Sequence, residues 1–213
     1  LDGDGDFDLV TTSYQDGRLG WYANVDGQGN YGDLTIISEN LPRATMVRAA
    51  DFDGDNDLDI VASSAVGNKV SWFQNLDGRG SFGEEQLVTD IAFRPHAIEV
   101  GDLDGDGDVD VLSTSSDTYD SDVSWYKNDG AGNFGAQEII SVEVANPFAV
   151  ATADLDGDGD LDVMTASYGD NKIAWYENED GKGTFGDQRV IADDLFVAIE
   201  VIGAGLGRTG TKS

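Results

Sequence analysis

Residues 51–59 read Asp-Phe-Asp-Gly-Asp-Asn-Asp-Leu-Asp, with a carboxylate at every odd position of the stretch. The same spacing returns at residues 102–110 and 154–162, and a shorter copy occupies residues 2–8. Five carboxylates within nine residues repel one another unless a cation neutralises them. Calcium suits this role because it accepts six to eight oxygen ligands at flexible geometry. The four stretches, called loops 1 to 4 in chain order, therefore predict metal-binding turns.

The spacing within a loop matches the first nine positions of an EF-hand calcium loop. There, side chains at positions 1, 3, 5 and 9 and the backbone carbonyl at position 7 bind the ion, while glycine at position 6 makes the turn. Asn56 replaces this glycine in loop 2, and asparagine tolerates left-handed backbone. Position 12 is Ala62, Ser113 or Thr165 instead of glutamate, which excludes an EF-hand. The candidate ligands are Asp2, Asp4, Asp6 and Asp8 in loop 1, Asp51, Asp53, Asp55, Asp57 and Asp59 in loop 2, Asp102, Asp104, Asp106, Asp108 and Asp110 in loop 3, and Asp154, Asp156, Asp158, Asp160 and Asp162 in loop 4.

A tryptophan-containing tetrapeptide follows each loop and sets the length of the repeat. The pattern Trp-aromatic-x-Asn recurs at intervals of 51, 53 and 50 residues, and an aromatic-glycine pair follows it each time, as in Phe82-Gly83. The four tryptophans are Trp21, Trp72, Trp125 and Trp175. We expect them to be core residues and not a sugar-stacking ring, because each lies on an interior strand of a sheet whose two faces are expected to be buried against neighbouring sheets.

Each repeat also contains four short stretches that are rich in apolar and β-branched residues. They are represented by residues 97–100 before a loop, 111–114 after it, 69–73 around a tryptophan and 138–140 after an aromatic-glycine pair. Turn residues separate them at the spacing of 8–12 residues that all-β proteins show. Four strands with a period near 50 are typical of a propeller blade. We therefore predict an all-β propeller of four four-stranded blades.

Closure of the ring and the extent of the domain follow from the last repeat. Residues 196–201 align with the first strand of a blade, and the N-terminal repeat lacks its own first strand. We expect this segment to complete the first blade, giving one domain over residues 1–202. The alternative is an excerpt of a longer propeller. Residues 203–213 are rich in glycine and, because no helix-forming sequence follows their Gly-x-Gly-x-x-Gly pattern, we interpret them as a tail or linker.

The composition limits the possible partners. The 213 residues include 42 acidic and 12 basic residues, for a net charge of -30, so nucleic acids and anionic membranes are excluded as partners. The loops hold 19 of the acidic residues, which argues for cation binding over adaptation to high salt. Cysteine is absent, so disulfides and thiolate sites are excluded. No apolar run reaches the ~18 residues of a membrane span, and no signal peptide is recognisable.

On these motifs the chain resembles the FG-GAP, or VCBS-type, repeat family, which builds the integrin α-subunit propeller. The resemblance covers residues 1–201, although the chain has four repeats instead of seven and lacks the Gly-Ala-Pro part of the family motif. It implies that the loops join the first and second strands of each blade, and that ligands bind on the opposite face. Loop 1 lacks position 1, so we expect three strong calcium sites and one weak or empty site at Asp2–Asp8.

The opposite face is expected to carry the residues that do not repeat between blades. Its candidate ligand-binding residues are Tyr14, Arg43, Arg94, His96, Tyr119 and Tyr168. Such a set fits an acidic glycan, or a polysaccharide lyase with tyrosine or histidine as its base. We predict a calcium-binding module, secreted or displayed on the cell surface, that binds protein or glycan or assembles with itself, and we predict no catalytic residues. A lyase or hydrolase, or an architectural repeat of a larger surface protein, is the alternative.

Overall fold

The computed structural model describes residues 1–117 and 120–193. Within them the chain forms fifteen β-strands in four antiparallel sheets, and no helix that could cross a membrane is present in this part of the chain. Each sheet corresponds to one sequence repeat. The prediction of an all-β chain of four repeats is confirmed.

The first sheet has three described strands and the other three sheets have four each. Sheet 1 contains β1 (Leu9–Ser13), β2 (Arg18–Tyr22) and β3 (Thr35–Ser38). Sheet 2 contains β4 (Ala44–Ala50), β5 (Asp59–Ser64), β6 (Lys69–Phe73) and β7 (Gln86–Thr89). Sheet 3 contains β8 (Pro95–Gly101), β9 (Asp110–Ser116), β10 (Ser121–Tyr126) and β11 (Glu138–Ser141). Sheet 4 contains β12 (Pro147–Ala153), β13 (Asp162–Ser167), β14 (Lys172–Tyr176) and β15 (Arg189–Ala192).

The first strands of successive four-stranded sheets lie side by side, as the inner strands of propeller blades do. Between sheets 2 and 3, the Thr45 hydroxyl donates to the Pro95 carbonyl at 3.0 Å, and the Arg48 guanidinium binds the Glu99 carboxylate at 3.1 Å. Between sheets 3 and 4, the His96 ring nitrogen Nδ1 lies 3.2 Å from the Phe148 carbonyl oxygen. In the pairing order, β4, β8 and β12 are each the edge strand of their own sheet. These contacts therefore bring the three edge strands next to one another.

Tryptophans fill three junctions between successive sheets. Trp72 of sheet 2 lies against Gly132 of sheet 3, where a Cβ atom would approach the indole to 2.3 Å. Trp21 meets Gly80 and Trp125 meets Gly183 in the same way, and these three indoles are buried. They therefore confirm the predicted core role. Trp175 is only half-buried, and the Arg189 guanidinium lies over its ring at 4.7 Å.

The position equivalent to Gly132 in the first sheet is Gly29, and a Cβ atom there would meet no described atom within 4 Å. In the described residues, the contact between tryptophan and glycine is thus made at the three successive junctions only. The predicted closing strand at residues 196–201 and the predicted tail at residues 203–213 lie outside the described residues. Closure of the ring stays a prediction.

Candidate functional site

Loops 2, 3 and 4 connect the first and second strands of sheets 2, 3 and 4, as predicted. In each loop the carboxylates at positions 1, 3 and 9 offer oxygen atoms that lie within 4.8 Å of one another. The three groups are Asp51, Asp53 and Asp59; Asp102, Asp104 and Asp110; and Asp154, Asp156 and Asp162. Within the described residues these are the acidic triads with the geometry to hold a metal ion.

The aspartate at position 9 anchors each loop to the third strand of its own sheet. Asp59 is fully buried and accepts hydrogen bonds from the Phe52 amide at 3.1 Å and the Asn75 amide at 2.7 Å. The same two bonds recur at Asp110 and Asp162. Because one carboxylate satisfies the amides of two separate segments, position 9 fixes where the first two strands of a blade diverge.

The asparagine of the second, third and fourth tetrapeptides carries this connection into the preceding sheet. The Asn128 side-chain nitrogen Nδ2 donates to the Phe52 carbonyl of loop 2 at 2.8 Å and to the Val109 carbonyl of loop 3 at 3.1 Å. Asn178 reaches the Leu103 carbonyl of loop 3 at 2.8 Å in the same manner. The geometry of one loop is therefore coupled to the junction with its neighbour.

Unpartnered carboxylate oxygens show that the loops fit a cation. The Oδ1 atoms of Asp53 and Asp104, which belong to the triads of loops 2 and 3, are buried and have no hydrogen-bond partner among the described residues. A buried carboxylate oxygen without a partner carries a large desolvation cost, which a bound divalent ion would remove. The donors are all oxygen, which suits calcium or magnesium over softer transition metals.

Burial, together with the charge of neighbouring carboxylates, raises the pKa values of several loop carboxyl groups. Burial raises the pKa of Asp59 and of Asp110 to about 7, although the hydrogen bonds from two backbone amides act in the opposite direction. Burial, followed by the charge of Asp55, raises the pKa of Asp53 and Asp57 above the ordinary value. These carboxylates are therefore poorly stabilised in the metal-free protein.

The other loop positions shape the turn. Asp51 accepts hydrogen bonds from the Gly54 amide at 2.8 Å and the Asn56 amide at 3.0 Å. Asn56 has a φ of 69°, which confirms the predicted left-handed backbone at position 6. Positions 5 and 7 lie outside the triads. The Asp108 side chain at position 7 instead lies against the Gly130 turn of its own sheet.

Loop 1 keeps part of this arrangement. Asp8, at position 9, accepts a hydrogen bond from the Asn24 amide at 2.9 Å, as Asp59 does from Asn75. Asp2, Asp4 and Asp6 lie on the same turn, where the Asp4 amide approaches Asp2 and the Asp6 amide approaches Asp4. The described residues of loop 1 form no acidic triad of the kind seen in loops 2, 3 and 4.

The ends of the strands remote from the loops surround a cavity of about 980 Å³. It brings together four of the six predicted ligand-face residues, together with residues that the sequence did not single out. The predicted residues are Tyr14, Arg94, His96 and Tyr168. Arg43 lies in an adjoining depression, where its guanidinium stands 5.5 Å from the centre of the Tyr14 ring, and Tyr119 lies outside the described residues.

Aromatic rings line one side of this cavity. The His96 and Phe148 rings are 3.7 Å apart at their centres, and Phe148 lies 6.1 Å from Tyr168. The His96 Nδ1–H donates to the Phe148 carbonyl oxygen, and burial lowers the pKa of the imidazole below its ordinary value. Asp117, Asp120 and Asn146 add polar groups to the lining.

Phe148 and Asn146 are functional candidates that sequence reasoning missed. Aligning the repeats supplies the signal, because Phe148 follows Pro147 as His96 follows Pro95, and Asn146 takes the place of Arg94. Arg94 and Asn146 share a left-handed backbone, with φ values of 48° and 53°. Their carbonyl groups accept equivalent amide bonds, from Ser116 at 3.4 Å and from Tyr168 at 3.0 Å. Arginine is more strained than asparagine in this conformation.

Comparisons with known proteins agree with this architecture. A family model described as FG-GAP-like repeat matches residues 1–62, 51–113, 102–165 and 154–202. Curated protein sequences give no significant match.

Three solved structures illustrate the likeness of fold. A lectin of Agrocybe aegerita, described as recognising non-reducing terminal N-acetylglucosamine, is similar with a TM-score of 0.63 and 24% identity, over 90% of this chain and 50% of the lectin. The periplasmic gluconolactonase PpgL of Pseudomonas aeruginosa has a TM-score of 0.53 and 15% identity, over 91% and 56% of the two chains. The V. cholerae biofilm matrix protein Bap1 has a TM-score of 0.49 and 20% identity, over 87% and 28%. The chain therefore spans about half of the lectin and of the gluconolactonase, and less of Bap1.

Proposed function

The chain belongs to the FG-GAP-like repeat family, and on this premise we propose that it is a calcium-stabilised β-propeller module that binds a glycan or protein ligand outside the cell. An aspartate triad at positions 1, 3 and 9 recurs in three loops, and this recurrence carries the proposal. In each triad, the position-9 aspartate accepts a hydrogen bond from the backbone amide of the asparagine that follows the third strand of its sheet. The calcium ions have a structural role, and the cavity on the other side provides the binding surface.

Calcium in loops 2, 3 and 4 would supply positive charge to the carboxylates and so remove their mutual repulsion. Asp59, Asp110 and Asp162 hold the loops to the strands through the hydrogen bonds that they accept from backbone amides. The loops lack the glutamate that completes an EF-hand, and affinities of ~10⁻⁴ to 10⁻³ M are typical of extracellular calcium modules. Sites of that strength fill where calcium is millimolar, which supports secretion or surface display.

The cavity supports ligand binding through its chemistry. The neighbouring rings of His96, Phe148 and Tyr168 offer flat apolar surfaces, and nearby Asp, Asn and Ser groups offer hydrogen bonds. That combination of apolar surface and a few polar groups is characteristic of small-ligand sites. A glycan or an extended peptide would satisfy both features.

An enzyme is the second candidate, and a specific observation favours it. Arg94, His96 and Tyr168 line the same cavity, which is the convergence that a polysaccharide lyase requires. Against this role, the His96 Nδ1–H donates to the Phe148 carbonyl, and the imidazole lies against the Phe148 ring with the ring centres 3.7 Å apart. A lectin and a gluconolactonase share the fold, so the fold does not decide between binding and catalysis.

Screening a glycan array in millimolar calcium tests the binding function, with a sizing column run in parallel. We expect selective glycan binding that Tyr168→Ala reduces at least about tenfold, the effect of losing one well-placed aromatic contact. Tyr31→Ala, which removes an exposed tyrosine on the loop side, is the matched control and should bind normally. Release of unsaturated products from polyuronate would instead establish the lyase. Self-association without any ligand would establish an architectural role and overturn the proposal.

A further inference from the structure

In the second and third repeats, the variable residue of the Trp-aromatic-x-Asn tetrapeptide contacts the aspartate loop of the same sheet, and the charge of this residue differs between repeats. The variable residue is Ala23, Gln74, Lys127 and Glu177 in chain order. The Gln74 side-chain nitrogen Nε2 donates to Asp53 Oδ2 at 2.5 Å. The Lys127 ammonium binds Asp104 and lies 3.0 Å from Asp106 Oδ2. Glu177 forms an ion pair with Arg189.

We propose that Lys127 is a built-in counter-ion of loop 3 that competes with calcium for Asp104. The inference rests on the proposed function, because it assumes that the aspartate triads bind calcium. Its consequence is that the three triads are not equivalent: loop 3 binds calcium more weakly than loops 2 and 4, and it keeps its shape better when calcium is absent.

The competition follows from the position of the ammonium group. Asp104 is a member of the loop 3 triad, and its side chain is only 7% exposed. Lys127 occupies one of its carboxylate oxygens, Oδ2, while the other, Oδ1, is buried without a hydrogen-bond partner. An ion entering the triad therefore meets an ammonium group that already binds Asp104. Two such positive charges repel each other, and the repulsion weakens binding.

Lys127 can also leave the loop, because 45% of its side chain is exposed. Calcium binding would therefore displace the ammonium into solvent instead of distorting the sheet. Among the described residues, Lys127 is the only side-chain cation paired with a loop aspartate. In loop 2 the equivalent residue, Gln74, is neutral, and in loop 4 Glu177 is acidic, so neither adds a competing charge.

The same ion pair stabilises loop 3 when calcium is absent. A cation between Asp104 and Asp106 offsets part of the repulsion that the metal-free loop otherwise carries. Loop 3 lies between the other two triads, and Asn178 of the next sheet binds its Leu103 carbonyl. A loop that holds its shape at this place would keep the junction between sheets 3 and 4 intact during calcium depletion.

The test compares Lys127→Gln, which reproduces the residue of repeat 2, with Lys127→Arg, which keeps the positive charge. Calcium titration by calorimetry gives the number of sites and their affinities, and anomalous scattering from a lanthanide titrated into crystals gives occupancy at each triad. In the unmodified protein we expect loop 3 to fill last. In Lys127→Gln its affinity should rise about tenfold, which lies between the effect of one charge pair in bulk water and the larger effect of a pair near a protein surface. In Lys127→Arg the affinity should stay low.

Lys172→Gln is the matched control, since it makes the same change of net charge in the hairpin between β13 and β14, where Lys172 pairs with Asp170. It should leave all three affinities unchanged. Hydrogen exchange in excess chelator gives an independent readout: loop 3 amides should exchange more slowly than those of loops 2 and 4, and Lys127→Gln should abolish the difference.

The outcomes separate the inference from its premise. If loops 2 and 4 bind calcium but Lys127→Gln leaves loop 3 unchanged in affinity and exchange, the counter-ion role is wrong and the proposed function stands. If the unmodified protein binds calcium at no loop, the proposed function itself fails. An increase in affinity shared equally with Lys172→Gln would also overturn the inference, because it would reflect net charge alone.

Discussion

The loop face of this protein repeats its side-chain contacts from sheet to sheet, whereas the side chains of the opposite face vary. On the loop face, each of three sheets carries the same triad, the same pair of amides bound to the position-9 aspartate and the same asparagine. On the opposite face, equivalent positions vary more between sheets: Thr45, His96 and Phe148 lie near the start of successive inner strands, and Arg43, Arg94 and Asn146 precede those strands. The backbone conformation there repeats more closely than the side chains do.

This difference indicates how the two faces divide the work. A side chain that recurs with its contacts in every sheet serves the architecture, because every blade has the same structural needs. A side chain that differs between blades while its backbone stays the same is free to serve recognition. The loop face should therefore respond to substitution with large losses of stability, and the cavity face with losses of binding.

The largest effect is expected at position 9 of a loop. Asp59→Ala removes the acceptor for the buried Phe52 and Asn75 amides and one ligand of the triad. Two unsatisfied buried donors cost about 3 kcal/mol or more of unfolding free energy. Urea denaturation in millimolar calcium measures the change.

The control for this substitution is Asp187→Ala, at an exposed position where the third repeat already has Ala136. It should change the free energy of unfolding by less than about 0.5 kcal/mol. Equal effects of the two substitutions would contradict the structural role of the position-9 carboxylate.

The pH dependence of the metal-free protein sharpens the same contrast. Folding raises the pKa of Asp59 and Asp110 from 3.8 to about 7, so the folded state favours their protonated forms. This contribution to stability is complete below about pH 4 and is lost as the pH rises towards 7. In calcium the slope should reverse, because the ion binds the ionised carboxylates.

Thermal unfolding between pH 4 and pH 7, in chelator and in calcium, measures both slopes. Parallel slopes in the two solutions would show that the buried carboxylates are not the groups that bind the ion.

The next largest change in the free energy of unfolding is expected from a substitution at a junction between sheets. In Gly132→Ala the new Cβ would lie 2.3 Å from the Trp72 ring, and overpacking of this kind costs about 1–3 kcal/mol. Gly29→Ala is a matched control, since both glycines have positive φ but a Cβ at Gly29 meets no described atom within 4 Å. Chemical denaturation of both variants isolates the packing cost from the backbone strain. A loss at Gly29 as large as that at Gly132 would show that the first sheet is packed in the same manner.

The repeated part of the molecule is also the part that sequence reasoning predicted best. The segment predicted at residues 69–73 coincides with β6 (Lys69–Phe73), and the loops join the strands expected. Both follow from local patterns, alternation and turn residues, that a single repeat contains. The carboxylate spacing likewise brings positions 1, 3 and 9 together in one turn.

What the sequence did not predict depends on how sheets meet. The hydrogen bond from Asn128 to Phe52 joins residues 76 positions apart, and the ring contact of Phe148 with His96 requires two inner strands to lie side by side. Neither pattern is visible within one repeat. The exposure of Trp175 differs from that of the other tryptophans for the same reason, since burial of this residue depends on the neighbouring sheet and not on its own motif.

The smallest effect on stability, and the one of opposite sign, is expected on the cavity face. Arg94→Asn places an asparagine in the left-handed conformation that Asn146 already adopts in the next repeat. Relief of strain should raise the free energy of unfolding by up to about 1 kcal/mol, while loss of the guanidinium weakens binding of an acidic ligand. Denaturation and ligand titration measure the two changes.

Arg79→Asn removes an exposed arginine from the loop side and serves as the control, which should alter neither quantity. Destabilisation by Arg94→Asn would show that the arginine serves the architecture, which would break the contrast between the two faces.

Thermal unfolding in millimolar calcium and in excess chelator, with metal content measured on the same samples, tests whether calcium at the aspartate triads stabilises the fold. Three sites of extracellular affinity, each linked to a junction between sheets, predict a midpoint that is roughly 5–15 °C higher in calcium, with more than one ion bound per chain. Identical midpoints in the two solutions, with no ion retained at the aspartate triads, would show that calcium has no structural role in this protein.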